Sequence, residues 1–163
     1  MILFALLACP PSEPTAPSVP PPAHEIGVHA EKAPAVHTEM TEAQARPRMY
    51  NFWATWCGPC VAELPRIATF ASKHPEIEVV LVNTEFRSQR PAVEKFVAEH
   101  ELTGLRTLMI DDVDPDLALP AIMGDWPDAV PVSVFVRADG KRGKMFVGAV
   151  YEADLAAGLT SVR

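Results

Sequence analysis

Residues 48–65, RMYNFWATWCGPCVAELP, decide the fold. Residues 48–55 are rich in aromatic and apolar side chains and predict a short buried strand. That strand runs into Trp56-Cys57-Gly58-Pro59-Cys60. Beyond it, Val61, Leu64, Ile67, Ala68 and Ala71 recur at helical spacing, so a helix follows the cysteine pair. Pro65 lies inside that pattern and is expected to kink the helix. A CxxC at a strand-to-helix junction points to redox chemistry. Its alternatives are a structural disulfide or half of a four-thiolate metal site.

The rest of the chain supplies the partners of this unit. Residues 77–83, IEVVLVN, read as a second strand, continuous enough at Val79 to Val82 for burial on both faces. Residues 91–100 read as a helix with Val93, Phe96 and Val97 inward. Residues 107–110 form a short strand, and residues 115–123 a short helical piece broken by Pro120. Residues 131–136, PVSVFV, are a strand. Ala138-Asp139-Gly140-Lys141 is a turn, and residues 144–150, KMFVGAV, return as a hairpin. Residues 152–159 close the chain as a helix with Leu155 and Leu159 inward. Early strand–helix alternation gives parallel strands and the late hairpin adds an antiparallel pair. The expected class is α/β, a mixed central sheet flanked by helices on both faces.

Composition sets the outer limits. The chain has 163 residues, 14 Lys plus Arg against 21 Asp plus Glu, and a formal net charge of −7. That length suits one domain. The acidic balance argues against nucleic-acid binding, which needs a basic face. A hydrophobic fraction of 48% is too high for a wholly disordered chain. Three cysteines are too few for a disulfide-dense scaffold.

The N-terminal region reads as an address. Residues 2–8, ILFALLA, are apolar but far shorter than the ~20 residues a spanning helix needs. They have the size of the hydrophobic part of a secretion signal. Leu6-Leu7-Ala8 before Cys9 resembles the lipobox of bacterial lipoprotein signals, in which the cysteine is lipidated. No Lys or Arg lies between Met1 and Cys9, where that pattern has a basic region. Seven of the 17 prolines fall between Pro10 and Pro22, in a stretch suited to a semi-rigid spacer. The expected division is residues 1–9 as a signal with a lipidation cysteine, 10–34 as a Pro-rich tether and 35–163 as the folded domain. His24, His29 and His37 fall in a polar stretch, irregularly spaced, and read as solvated linker and not as metal ligands.

The string Asn51 to Cys60, followed by Glu63-Leu64-Pro65, resembles the thioredoxin superfamily. Within it, the string is similar to the TlpA/ResA-type branch of membrane-anchored, extracytoplasmic thiol-disulfide oxidoreductases. Val130-Pro131 before a strand matches that family's cis-proline position, and Asp139-Gly140-Lys141 its hairpin turn. The resemblance implies a thioredoxin-like fold and a redox-active disulfide between Cys57 and Cys60. Cys57 attacks and Cys60 resolves. Trp56 shields the pair, Gly58 leaves room for a substrate, and Pro59 restrains the first helical turn. Val130 offers its backbone groups to a bound substrate chain beside cis-Pro131. A thiolate is the attacking species, and the positive end of the helix favours it at Cys57.

The family also implies partners. These are protein thiols and disulfides, including apocytochrome c, and a membrane reductant that recycles a monomeric, lipid-anchored enzyme in the periplasm or cell envelope. No cofactor or metal is needed for chemistry carried by two thiols. The same site can instead oxidise or isomerise disulfides, and a tethered binding or chaperone module is the non-enzymatic alternative. Cytoplasmic thioredoxins carry a buried aspartate six positions before the first cysteine; here that position is Asn51. Glu85 after the second strand is the candidate replacement, as a proton relay or as a solvated loop residue. Trp126, just before Val130-Pro131, is either a wall of the substrate groove or a cap on the core.

Overall fold

The computed structural model describes residues 27–163. Cys9, the apolar run before it, the proline cluster and His24 lie outside those residues. In chain order the elements are β1 (Val28–Glu31), α1 (Ala33–Thr41), β2 (Arg48–Trp53), α2 (Gly58–Lys73), β3 (Glu78–Asn83) and α3 (Arg90–Glu99). They continue with β4 (Arg106–Ile110), α4 (Pro115–Ile122), β5 (Val132–Val136), β6 (Arg142–Val147) and α5 (Glu152–Thr160). The strands form one sheet in the order β1-β4-β3-β2-β5-β6. β1, β4, β3 and β2 are mutually parallel. β5 runs antiparallel to β2, and β6 antiparallel to β5.

Side-chain alternation along β2 divides the core into two layers. Met49 and Trp53 meet Leu64, Ile67 and Phe70 of α2, Val93 and Val97 of α3, and Leu155 and Leu159 of α5. Tyr50 and Phe52 point the other way, to Val36 and Met40 of α1 and to Ala118, Leu119 and Ile122 of α4. Every residue of β3 is buried, because helices cover both faces of the central strands. The expected mixed α/β sheet is the observed one.

The structure corrects four local expectations. Order begins ahead of residue 35: β1 pairs with β4 from Val28, and α1 starts at Ala33. Only Ala33, Val36 and Met40 of α1 are buried, so three apolar positions in a polar segment carry its docking. His29 and His37 therefore sit on β1 and α1, not on a linker, and His37 Nδ1 lies 2.9 Å from the Ile122 carbonyl oxygen. Pro120 does not break α4, which runs through it. Both Pro120 and Asp116, whose carbonyl loses a helical donor to the proline, face solvent. α2 also continues through its exposed Pro65, where a kink and not a break is the expectation. β6 ends at Val147 instead of continuing to residue 150, because Gly148 (φ +93°) turns the strand away.

Candidate active site

Cys57 is the N-cap of α2, and its sulfur accepts the Cys60 N–H at 3.2 Å. The two cysteines form a disulfide with their Cα atoms 5.2 Å apart. Cys60 is fully buried, whereas Cys57 retains a little exposure. An incoming nucleophile or disulfide therefore meets Cys57 first. A thiolate there is met by the Cys60 N–H and by the positive end of α2. Pro59 occupies the first turn, where its missing N–H has no helical partner to lose. Gly58 and Pro59 are exposed, and Trp56 is 72% exposed.

The opposite wall comes from the chain entering β5. The Val130–Pro131 peptide is cis, and the Val130 carbonyl oxygen lies 3.7 Å from the Cys57 sulfur. Gly148 donates its N–H to the Pro131 carbonyl at 2.8 Å, tying the segment after β6 to this wall. Trp126 lines the groove beside Trp56 and Val130, and its ring meets Phe52 edge-on at 5.3 Å, against the core.

Beneath the cysteines lies a buried polar cluster that the sequence reading missed. Glu63 is fully buried, one helical turn beyond Cys60. One carboxylate oxygen accepts the Asn51 amide at 2.8 Å, and the other accepts the Val150 N–H at 2.7 Å. Asn51 also reaches the Ser133 hydroxyl at 3.0 Å, its cross-strand partner on β5. Burial pushes the Glu63 carboxyl up, against the opposing pull of the Val150 and Asn51 hydrogen bonds and the Arg66 charge. Its signal in the sequence was position: Glu63 sits beside Leu64 on the stripe that α2 buries, where a carboxylate is out of place.

Glu85 is buried too and is no solvated loop residue. It accepts the Thr55 N–H at 2.7 Å, the Thr55 hydroxyl at 2.8 Å and the Asn83 amide at 2.9 Å. It thereby clamps the loop that leads from β2 into Trp56 and Cys57. Among the described residues, no group of three or more His, Cys, Asp or Glu side chains is placed to hold a metal ion.

A family model described as Redoxin matches residues 26–159. The chain belongs to the Redoxin family. Among its relatives is the thiol-disulfide oxidoreductase ResA of Oceanobacillus iheyensis, 32% identical over 65 residues, which are 40% of this chain and 34% of that protein. The thiol:disulfide interchange protein DsbE of Pseudomonas fluorescens biotype C is 29% identical over 123 residues, 73% of this chain and 64% of that protein. The match thus spans about a third of the first relative and under two thirds of the second. Among solved structures, MTB DsbF superposes with a TM-score of 0.60 at 26% identity, covering 74% of this chain and 83% of that one. These Redoxin relatives carry the names that the TlpA/ResA-type resemblance anticipates, and the fold is thioredoxin-like.

Proposed function

We propose that this Redoxin family member is a thiol-disulfide oxidoreductase that reduces disulfides of cell-envelope proteins, apocytochrome c among the candidates. One observation carries the reading: a Cys57–Cys60 pair at a helix N-terminus, with Cys57 facing the Val130 carbonyl across a cis-proline wall. In the reduced enzyme the Cys57 thiolate attacks one sulfur of the substrate disulfide. A Cys57–substrate disulfide forms, and the other substrate sulfur leaves as a thiolate that takes up a proton. The Cys60 thiol loses its proton and attacks the Cys57 sulfur. The second substrate thiol departs, and the enzyme is left as the Cys57–Cys60 disulfide. Two electrons have passed to the substrate, and a dithiol reductant at the membrane restores the enzyme. Val130 presents its backbone groups to the bound chain. The buried Glu63, near Cys60 along α2, is suited to take the proton that Cys60 loses.

The direction of transfer follows from the potential. Titration of the Cys57–Cys60 couple against glutathione tests it. A strongly reducing value supports the reductase, and a value near that of the periplasmic oxidants assigns the site to oxidation or isomerisation. A Cys60→Ala variant should accumulate mixed disulfides through Cys57 that name the substrates by mass. Cys57→Ser should abolish turnover; retained activity would mark a binding module instead.

The apolar run before Cys9 and the proline-rich stretch after it support the reading of a lipid anchor and a spacer, with the domain held outside the cytoplasm as a monomer in this proposal. Among the described residues no helix is long and apolar enough to cross a membrane. A Cys9→Ser variant that moves from the membrane fraction to the soluble fraction supports the anchor; unchanged partitioning removes it.

A further inference from the structure

The groove beside Cys57 has a chemistry that chain reversal and CxxC geometry do not require. It encloses about 390 Å³, and its walls include Trp56, Leu119, Trp126 and Val130 together with the carboxylates of Asp116 and Asp128. None of its lining residues is basic. Neither Asp116 nor Asp128 makes an ion pair with another described residue, in contrast to Asp125 and Asp111. Asp125 is held by Arg142 at 2.6 and 2.7 Å, and Asp111 by Lys32 and Arg87. Two indole side chains and two carboxylates without an ion-pair partner around one cleft favour the same kind of guest. Indole rings attract an ammonium or guanidinium through their negative faces, and carboxylates attract it by charge.

Resting on the oxidoreductase reading, we infer that this groove selects disulfides whose cysteine is flanked by lysine or arginine in an extended, cationic segment of the substrate protein. The Val130 carbonyl, 3.7 Å from the Cys57 sulfur, places the substrate cysteine at one end of the cleft. A basic side chain a few residues away then lies between the indoles and the two carboxylates. An acidic flank is repelled by the same groups, so the groove discriminates in both senses.

Asp128 has a plain alternative explanation: it adopts a left-handed backbone conformation (φ 51°), which Asp and Asn tolerate better than most residues. Replacement by Asn keeps that tolerance and removes only the charge, so it separates the two roles. The test uses the pre-reduced full chain and three disulfide-linked peptides identical except for Arg, Gln or Glu beside the cysteine. The second-order rate constant for reduction should fall in the order Arg, Gln, Glu, with Arg over Glu by roughly 10-fold or more. High salt should compress this ratio. In Asp116→Asn/Asp128→Asn the Arg peptide should slow about 3- to 10-fold while the Gln peptide changes less than about twofold. Matching circular dichroism and melting midpoint show that the variant is folded, and each single variant provides the same reading if the double one is not. Equal rates on all three peptides overturn the selectivity while leaving the oxidoreductase intact. A preference that survives both Asn replacements overturns its assignment to Asp116 and Asp128. Failure to reduce any peptide overturns the oxidoreductase reading, and the selectivity with it.

Discussion

Asn51 donates its side-chain amide to Glu63 at 2.8 Å, so a strand residue that cannot titrate holds a buried carboxyl that can. Burial raises the Glu63 pKa from its usual range near 4.5, with the Val150 N–H, the Asn51 amide and Arg66 pulling the other way. A carboxyl whose folded pKa is raised stabilises the protein fully below its unfolded pKa, and that contribution is lost as pH rises through the folded value. Compared with Glu63→Gln, the wild-type chain should therefore lose stability as pH rises from about 4.5 through the raised folded value. Urea denaturation across that range measures the difference between the two proteins. A difference that does not change with pH would remove Glu63 as a titrating group.

Glu85 makes a different prediction. Its oxygens take three hydrogen bonds from Thr55 and Asn83. Glu85→Gln sets an amide NH₂ against one of these donors and should cost about 1–3 kcal/mol in stability. The Cys60 thiol titration should be unchanged, since these bonds clamp the loop ahead of the cysteines. A displaced thiol titration in Glu85→Gln would put Glu85 in the proton path.

At the far end of β2, Glu39 of α1 binds Arg106 at 2.6 and 2.8 Å and accepts the Tyr50 hydroxyl at 2.9 Å. Arg48 completes the group, bonding Tyr50 and Glu78. Burial opposes ionisation of Glu39, but the bonds and charges of Arg106, Tyr50 and Arg48 prevail and hold its carboxyl below the usual value of 4.5. Its contribution is present above the unfolded pKa and is lost as pH falls through the folded one. Glu39→Gln should destabilise the protein by about 1–3 kcal/mol at neutral pH. The difference from wild type should shrink below about pH 4.5. Denaturation midpoints at pH 7 and pH 3 check both statements.

Gly158 in α5 lets that helix approach the fully buried Phe135 ring of β5. A Cβ added at this position would lie 2.2 Å from a ring carbon. Gly158→Ala should thus destabilise by about 1–3 kcal/mol through overpacking, reversing the usual advantage of Ala over Gly in a helix. Thermal melting decides the sign.

What the sequence alone determined about this protein is local and periodic. A β-rich run into Cys57 and Cys60, followed by apolar spacing of three and four, specifies a strand, a cysteine pair and a helix without reference to the rest of the chain. The hairpin turn was legible for the same reason, whereas the cis bond before Pro131 was expected only from the resemblance to the thioredoxin superfamily. Other features depend on which surfaces meet. The polar segment of β1 and α1 is ordered because Val28 finds an open parallel edge at β4, and Val36 and Met40 find the second core layer. Glu63 and Asn51 lie 12 positions apart, on different elements, and neither looks buried by residue type. They become a pair only when α2 lies across β2, because desolvation is a property of the packed neighbourhood and not of the residue. The groove of Trp56, Trp126, Asp116 and Asp128 likewise gathers three separate segments. The sequence named the two thiols, and tertiary contact decided what surrounds them.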